Sequence, residues 1–71
     1  MKLPRDISGP EAVRALERLG FLVIRQNGSH VQMSQGKRRV TVPMHRNLVV
    51  GTLQSILRQA AVDLDDFLNA L

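Results

Sequence analysis

A glycine-serine-histidine run, Gly28-Ser29-His30, is the first feature of the sequence that could do chemistry. Histidine both accepts and donates a proton near neutral pH, so it can act as a general acid or base. RNA carries its own nucleophile, the ribose 2′-hydroxyl. Its cleavage needs a proton removed from that hydroxyl, a proton given to the leaving oxygen, and charge neutralised at the phosphate. His30 and nearby arginines could supply much of this without a metal; the alternative is an exposed strand histidine with no catalytic role.

Two further segments carry residues suited to phosphate. Val42-Pro43-Met44-His45-Arg46 contains the second histidine, which is a second proton donor, a phosphate contact or a structural loop residue. Gly51-Thr52 opens a helical pattern, and the free amides of a helix N-terminus favour anions, although simple capping explains this pair equally well. With these residues included, the candidate RNA contacts are Arg25, Ser29, Lys37, Arg39, His45, Arg46, Gly51 and Thr52.

The charge of the chain indicates a polyanionic partner. Ten Lys and Arg stand against six Asp and Glu, and residues 1–58 hold all ten bases and three of the acids, a net charge of +7. Eight of the ten bases are Arg, whose planar guanidinium suits phosphate. A solubilising surface charge is the alternative. Only two aromatic residues are present, Phe21 and Phe67, which argues against stacking on splayed bases and favours contacts to backbone and sugar.

Helices at both ends of the chain must position these residues. Ser8 and Glu11 predict a capping box, followed by a first helix of about three turns that ends at Gly20 as its cap glycine. Helical spacing returns at residues 53–60, and Asp63 predicts the cap of a short final helix.

Between the helices, the pattern predicts three strands in an antiparallel meander. Asn27-Gly28 is a strong hairpin signal, Gln35-Gly36-Lys37 predicts the second turn, and Pro43 ends the third strand because proline cannot donate to the ladder. Alternation along the second and third strands places one set of side chains toward the helices, namely Val31, Met33, Val40 and Val42. The opposite set faces solvent, namely His30, Gln32, Ser34, Arg39 and Thr41.

The predicted fold class is therefore α+β, in the order α-β-β-β-α-α, with two main helices on one face of a three-stranded antiparallel sheet and a short C-terminal helix. Residues 1–71 form one domain, since the chain has no room for a second core. There is no cysteine for a disulfide or a thiolate zinc site, and two histidines are a poor basis for a metal. No apolar run would span a membrane, and residues 1–10 lack the apolar stretch of a signal peptide, so we expect a cytoplasmic protein without cofactors.

Four segments, in order and spaced as in the family, resemble the HicA toxins, which are mRNA interferases of bacterial and archaeal toxin–antitoxin pairs. The segments are Leu19-Gly20-Phe21, Arg25-Gln26-Asn27-Gly28-Ser29-His30, Val42-Pro43-Met44-His45 and the run of residues 51–60. The resemblance implies a double-stranded-RNA-binding-like fold and identifies His30 as the catalytic residue. It also implies an mRNA substrate and a HicB-type antitoxin that covers the active site, with any contact to DNA made through the antitoxin.

The chain departs from the family in two places. Ala61 stands where the family often has glycine, which makes a left-handed helix cap less comfortable. Arg46 is followed by the uncharged Asn47-Leu48-Val49-Val50 where the family tends to have lysine, so one phosphate contact is missing or relocated.

Three hypotheses of function follow from the sequence. The first is a metal-independent endoribonuclease toxin that uses His30. The second is a non-catalytic module of the double-stranded-RNA-binding type, which the basic face supports equally well. The third is a protein-interaction domain whose basic face docks on an acidic protein. Cleavage of RNA separates the first from the second, and copurification with the neighbouring gene product tests the third.

Overall fold

The computed structural model describes residues 6–71, which form one three-stranded sheet and three helices. The elements are α1 (Gly9–Arg18), β1 (Leu22–Asn27), β2 (His30–Gln35), β3 (Arg38–Pro43), α2 (Val50–Ala60) and α3 (Leu64–Ala70). This order confirms the predicted α-β-β-β-α-α arrangement and the α+β class. Within residues 6–71, none of the helices combines the length and the apolar character needed to cross a membrane.

Helix α1 is bounded by the two signals that its sequence predicted. At its start, the Ser8 hydroxyl accepts from the Glu11 backbone N–H at 3.2 Å, and the Glu11 carboxylate accepts from the Ser8 N–H at 3.1 Å. At its end, Gly20 has a φ of +101°, a conformation that glycine adopts without a steric penalty. The N–H groups of Gly20 and Phe21 then bond to the carbonyls of Glu17 and Leu16, which closes the helix in a Schellman motif and directs Phe21 into the core.

The sheet is a meander in the order β1-β2-β3, and both of its turns contain two residues. Asn27 pairs with His30 across the first turn, so the turn residues are Gly28 and Ser29, one position later than Asn27-Gly28. Gly28 and Gly36 each occupy the first position of their turn with φ near +60°, the pattern of type II′ turns. These glycines fix the register of both hairpins and therefore the position of His30 at the start of β2.

The core lies between the sheet and the helix layer. Val31, Met33, Val40 and Val42 are at most 3% exposed, which confirms the predicted inward face of β2 and β3. They pack in one cluster with the buried residues of the helices, namely Ala12, Ala15, Leu16, Leu53, Ile56, Leu57, Ala60, Phe67 and Ala70. The opposite side of the sheet, here called the open face, carries no covering element within residues 6–71.

The C-terminal end of α2 and the N-terminal end of α3 are defined by backbone conformation and not by side-chain capping. Ala61 adopts φ 55° and ψ 42°, so it fills the left-handed cap position of α2 in spite of its Cβ. The Ala61 and Val62 N–H groups bond to the carbonyls of Arg58 and Leu57, as in a Schellman motif. Asp63 lies at the N-cap of α3 as predicted, but its side chain makes no capping hydrogen bond.

The two edges of the sheet differ. On β3, the outward N–H of Thr41 donates to the Gln59 side-chain oxygen at 3.1 Å, and Gln59 in turn donates to the Ser55 hydroxyl, so helix α2 covers this edge. Strand β1, by contrast, is exposed along its whole length and its pairing with β2 is interrupted by a bulge at Ile24. Helix α1 contacts β1, but every residue of that strand remains exposed.

Candidate functional site

His30 is the first residue of β2 and lies in the middle of the sheet at the end formed by the β1–β2 turn. It pairs with Asn27 on β1 and Pro43 on β3, and its side chain is exposed. Because Val31 is buried on the helix side, His30 projects from the open face, as the alternation predicted. Paired strands on both sides and the tight turn hold its backbone rigidly, which is what a general acid or base requires.

Basic side chains share the open face with His30 in successive cross-strand rows. Arg25 pairs with Gln32 in the adjacent row, about 7 Å along the strands from the row of His30. Arg39 pairs with Ser34 in the row beyond, about 14 Å away. Arg25 is therefore the guanidinium best placed to hold a phosphate beside His30, while Arg39 can reach a neighbouring part of the same backbone.

Hydrogen bonds hold the segment after β3 against the β1–β2 turn end of the sheet. The Met44 N–H donates to the Ser29 carbonyl at 2.6 Å, so the segment continues alongside the turn that precedes His30. The His45 carbonyl accepts from the Gly9 N–H at 2.8 Å, which ties the segment to the start of α1. A Cβ on Gly9 would press on the Pro43 carbonyl and lie 2.6 Å from Met44 Cα, so only glycine permits this approach.

The structure brings together some of the sequence-predicted site residues and separates others. Ser29, His30, His45 and Arg46 lie at the β1–β2 turn end of the sheet, and all four are exposed. Lys37 lies in the β2–β3 turn at the opposite end, on the order of 17 Å from His30 along β2. Lys37 is thus the candidate contact farthest along the sheet from the catalytic candidate.

Gly51 and Thr52 lie in the first turn of α2, where Val49 supplies no side-chain cap. A segment of residues 44–49 separates them from β3, and the Leu48 N–H anchors that segment to the Ile7 carbonyl at 2.7 Å. The amides of this first turn are therefore available to an anion, and the structure fixes them through the same loop that carries His45.

The charged side chains of the open face are both basic, namely Arg25 and Arg39. No Asp or Glu occurs between Glu17 and Asp63, so the strands and their turns contain Arg25, Lys37, Arg38 and Arg39 and no acid. Nothing on these strands neutralises the charge, and the face attracts anions over about one Debye length, roughly 8–10 Å at physiological salt. Among residues 6–71, no three His, Asp or Glu side chains gather as metal ligands.

Sequence reasoning missed one neighbour of His30. Asn27 lies directly across the hairpin from His30, and side chains of such pairs on one face have Cβ atoms about 5 Å apart. Its amide can donate to or accept from a group bound at His30. The signal was present, because a two-residue turn at Gly28 and Ser29 makes positions 27 and 30 face each other, but the turn was expected one residue earlier.

Fold and site together define a small α+β protein with a basic, uncovered sheet face and an exposed histidine on its central strand, at the β1–β2 turn end. Comparison with family models identifies the HicA toxin of bacterial toxin–antitoxin pairs, matched over residues 9–62. The match spans most of the chain, and the chain belongs to this family of toxins, which implies an antitoxin as its partner. No curated protein matched in a search with the sequence.

Proposed function

We propose that this toxin is a metal-independent endoribonuclease that cleaves mRNA and so arrests translation, with His30 as its catalytic residue. The observation that carries the proposal is the position of His30, exposed on a rigid strand of a sheet face that carries Arg25 and Arg39 and no acid. Such a face attracts the phosphate backbone, and neither phenylalanine of the chain lies on it to stack with bases.

In the proposed reaction, the ribose 2′-oxygen attacks the adjacent phosphorus and the bond from phosphorus to the 5′-oxygen breaks. The 2′-hydroxyl proton is lost to a base, the 5′-oxygen gains a proton, and the products are a 2′,3′-cyclic phosphate and a 5′-hydroxyl. His30 acts as acid or base on this ribose-phosphate. Arg25 holds the charge on the phosphate oxygens from the adjacent row, and Arg39 binds the neighbouring backbone.

The remaining candidates extend this binding surface. Ser29, His45 and Arg46 border His30 at the same end of the sheet, and the amides of Gly51 and Thr52 offer an anion site at the start of α2. Lys37 contributes long-range attraction from the far end of the sheet. We further propose that the partner antitoxin is of the HicB type and blocks cleavage by covering His30, and that both proteins act in the cytoplasm.

The test is an RNA-cleavage assay with purified wild-type and His30→Ala protein in the presence of a chelator. We expect cleavage by the wild type and a loss of at least 10²-fold in rate for the variant, the effect typical of removing a general acid or base. Because His30 is exposed, its truncation should alter the free energy of unfolding by no more than about 0.5 kcal/mol.

Gln32→Ala is the matched control, since Gln32 lies on the same strand and face one row away. It should leave the rate within a few-fold of wild type. Undiminished cleavage by His30→Ala, or a strict requirement for magnesium, contradicts the mechanism. Tight, salt-sensitive RNA binding with no cleavage by either protein would instead assign the chain as a non-catalytic RNA-binding module.

A further inference from the structure

Three consecutive apolar side chains of β1 are exposed at the uncovered edge of the sheet. Leu22 is 72% exposed, Val23 46% and Ile24 45%, and we call these three residues the β1 patch. They form the longest run of exposed large apolar residues within residues 6–71. Leu22 projects from the open face, whereas Val23 pairs with the buried Met33 and projects from the opposite face, so the β1 patch surrounds the strand edge instead of lying on one face. Neighbouring exposed apolar residues in a small protein mark a binding surface more often than single exposed residues do.

The other edge of the sheet is covered, so the small size of the fold does not by itself explain why the β1 patch is exposed. At β3, helix α2 and the Gln59 side chain satisfy the outward backbone N–H of Thr41. At β1, all six residues stay exposed although α1 contacts the strand, and neither a charged residue nor proline interrupts the apolar run of residues 22–24. The bulge at Ile24 and the charge of Arg25 limit strand pairing along this edge, but neither covers the apolar side chains of the β1 patch.

The charge of the sheet determines which partner fits. A second copy of the chain, paired edge to edge, would join two sheets that each carry four bases and no acid, and would bring two copies of Arg25 close together. An RNA backbone gains nothing from three aliphatic side chains. A protein surface with apolar residues opposite the β1 patch and carboxylates opposite Arg25 and Arg39 satisfies both features.

The position of the β1 patch connects it to the candidate active site. Leu22 pairs with Ser34 and so projects from the open face, two rows from His30 with the row of Arg25 between them. Three side chains offer far less than the roughly 800 Å² per partner of a stable complex. A partner seated on the β1 patch therefore needs further area, and from Leu22 the open face leads across Arg25 to His30.

We propose that the β1 patch is the apolar anchor of the antitoxin, which binds it with an apolar surface flanked by acidic residues and from there covers His30. This inference rests on the proposed function in so far as coverage of His30 is what blocks cleavage. The bulge at Ile24 interrupts the ladder on this edge, so side-chain packing rather than an unbroken run of backbone hydrogen bonds holds the partner. RNA binding uses the charges, and antitoxin binding uses the charges and the β1 patch.

The experiment compares wild-type protein with the double variant Leu22→Gln/Ile24→Thr, using as probe the purified antitoxin encoded by the adjacent gene. The Kd of the complex is measured by calorimetry, and RNA cleavage is measured with and without the antitoxin. We expect a rise of about 30-fold in the Kd, typical of losing central apolar anchors, with cleavage in the absence of antitoxin unchanged. Leu71→Gln is the matched control, because it makes the same chemical change at an exposed leucine beside α3.

Each other outcome has a defined meaning. An unchanged Kd for the double variant overturns the proposal, and so does a loss of RNA cleavage in a folded variant, which would assign the patch to the substrate. A wild-type dimer that the double variant converts to a monomer in sedimentation would assign the patch to a second copy and also overturn it. If the wild type cleaves no RNA but the variant still loses antitoxin affinity, the proposed function fails and the docking surface stands.

Discussion

Gly9→Ala tests the contact that holds the loop with His45 against α1. In the structure a Cβ at residue 9 would lie 2.6 Å from Met44 Cα, whereas carbon atoms in ordinary contact are about 3.5–4.0 Å apart. The loop must therefore retreat by about 1 Å. The hydrogen bond from Gly9 N–H to the His45 carbonyl, now 2.8 Å, would then lengthen beyond the range of a hydrogen bond.

The expected cost follows from these two changes. Overpacking of this size costs about 1–3 kcal/mol, and a lost hydrogen bond accounts for about 1 kcal/mol of it. Alanine recovers at most about 0.5–1 kcal/mol as a better helix former than glycine. We expect a net loss of about 1–2 kcal/mol, a large share of the roughly 4–10 kcal/mol expected for a chain of this length.

Urea unfolding followed by circular dichroism measures this loss. With a slope of about 1 kcal/mol per molar urea, the midpoint should fall by roughly 1–2 M. Gly51→Ala is the control, because a Cβ there has open space and the residue lies in the first turn of α2, so the midpoint should stay or rise. A Gly9→Ala midpoint equal to or above that of wild type would refute the reasoning.

Three further outcomes are expected. Ala61→Gly should raise the free energy of unfolding by about 1 kcal/mol, because residue 61 holds a left-handed conformation; an unchanged thermal midpoint would contradict this. Hydrogen bonds from Ser8 and the charge of Arg14 hold the pKa of Glu11 below its usual value. The ionised Glu11 carboxylate therefore contributes fully to stability at a pH above the usual pKa, and this contribution is lost as the pH falls through the lowered pKa. Glu11→Gln should flatten this part of the acid-unfolding curve, and an identical curve would exclude the capping box as its cause. Arg25→Ala should weaken RNA binding and reduce the slope of log K against log salt concentration by roughly 0.7. Lys37→Ala, at the far end of the sheet, should change the affinity less. Equal effects of the two substitutions would argue against the placement of RNA near His30.

Most of the elements could be predicted from the sequence because their signals are local. The capping box of Ser8, the cap glycine Gly20 and the alternation around Val31 depend on residues a few positions apart. The same alternation assigned His30 to the open face, since a strand with one buried face leaves no other orientation. The sequence also predicted correctly that Asp63 begins α3, although the Asp63 carboxylate makes no capping hydrogen bond.

The features that were not predicted depend on contacts distant in sequence. The approach of Gly9 to the segment after β3 joins residues more than thirty positions apart, and no local pattern distinguishes it from any other glycine at a helix start. Gln59 and Thr41, whose contact helps to decide which edge of the sheet is covered, are 18 positions apart. The bulge at Ile24 shifts the pairing of β1 with β2 by one residue, and no pattern in residues 21–27 predicts it.

The unequal edges also limit how far the protein can assemble. A sheet that pairs at both edges can add subunits without end and form fibres, whereas here α2 packs against one edge and Gln59 accepts from its Thr41 N–H. The remaining edge can pair with only one further strand, whether that strand belongs to a second copy or to another protein. We therefore expect growth through the sheet to stop at two chains even at high concentration, so that the exposed β1 edge does not lead to polymerisation.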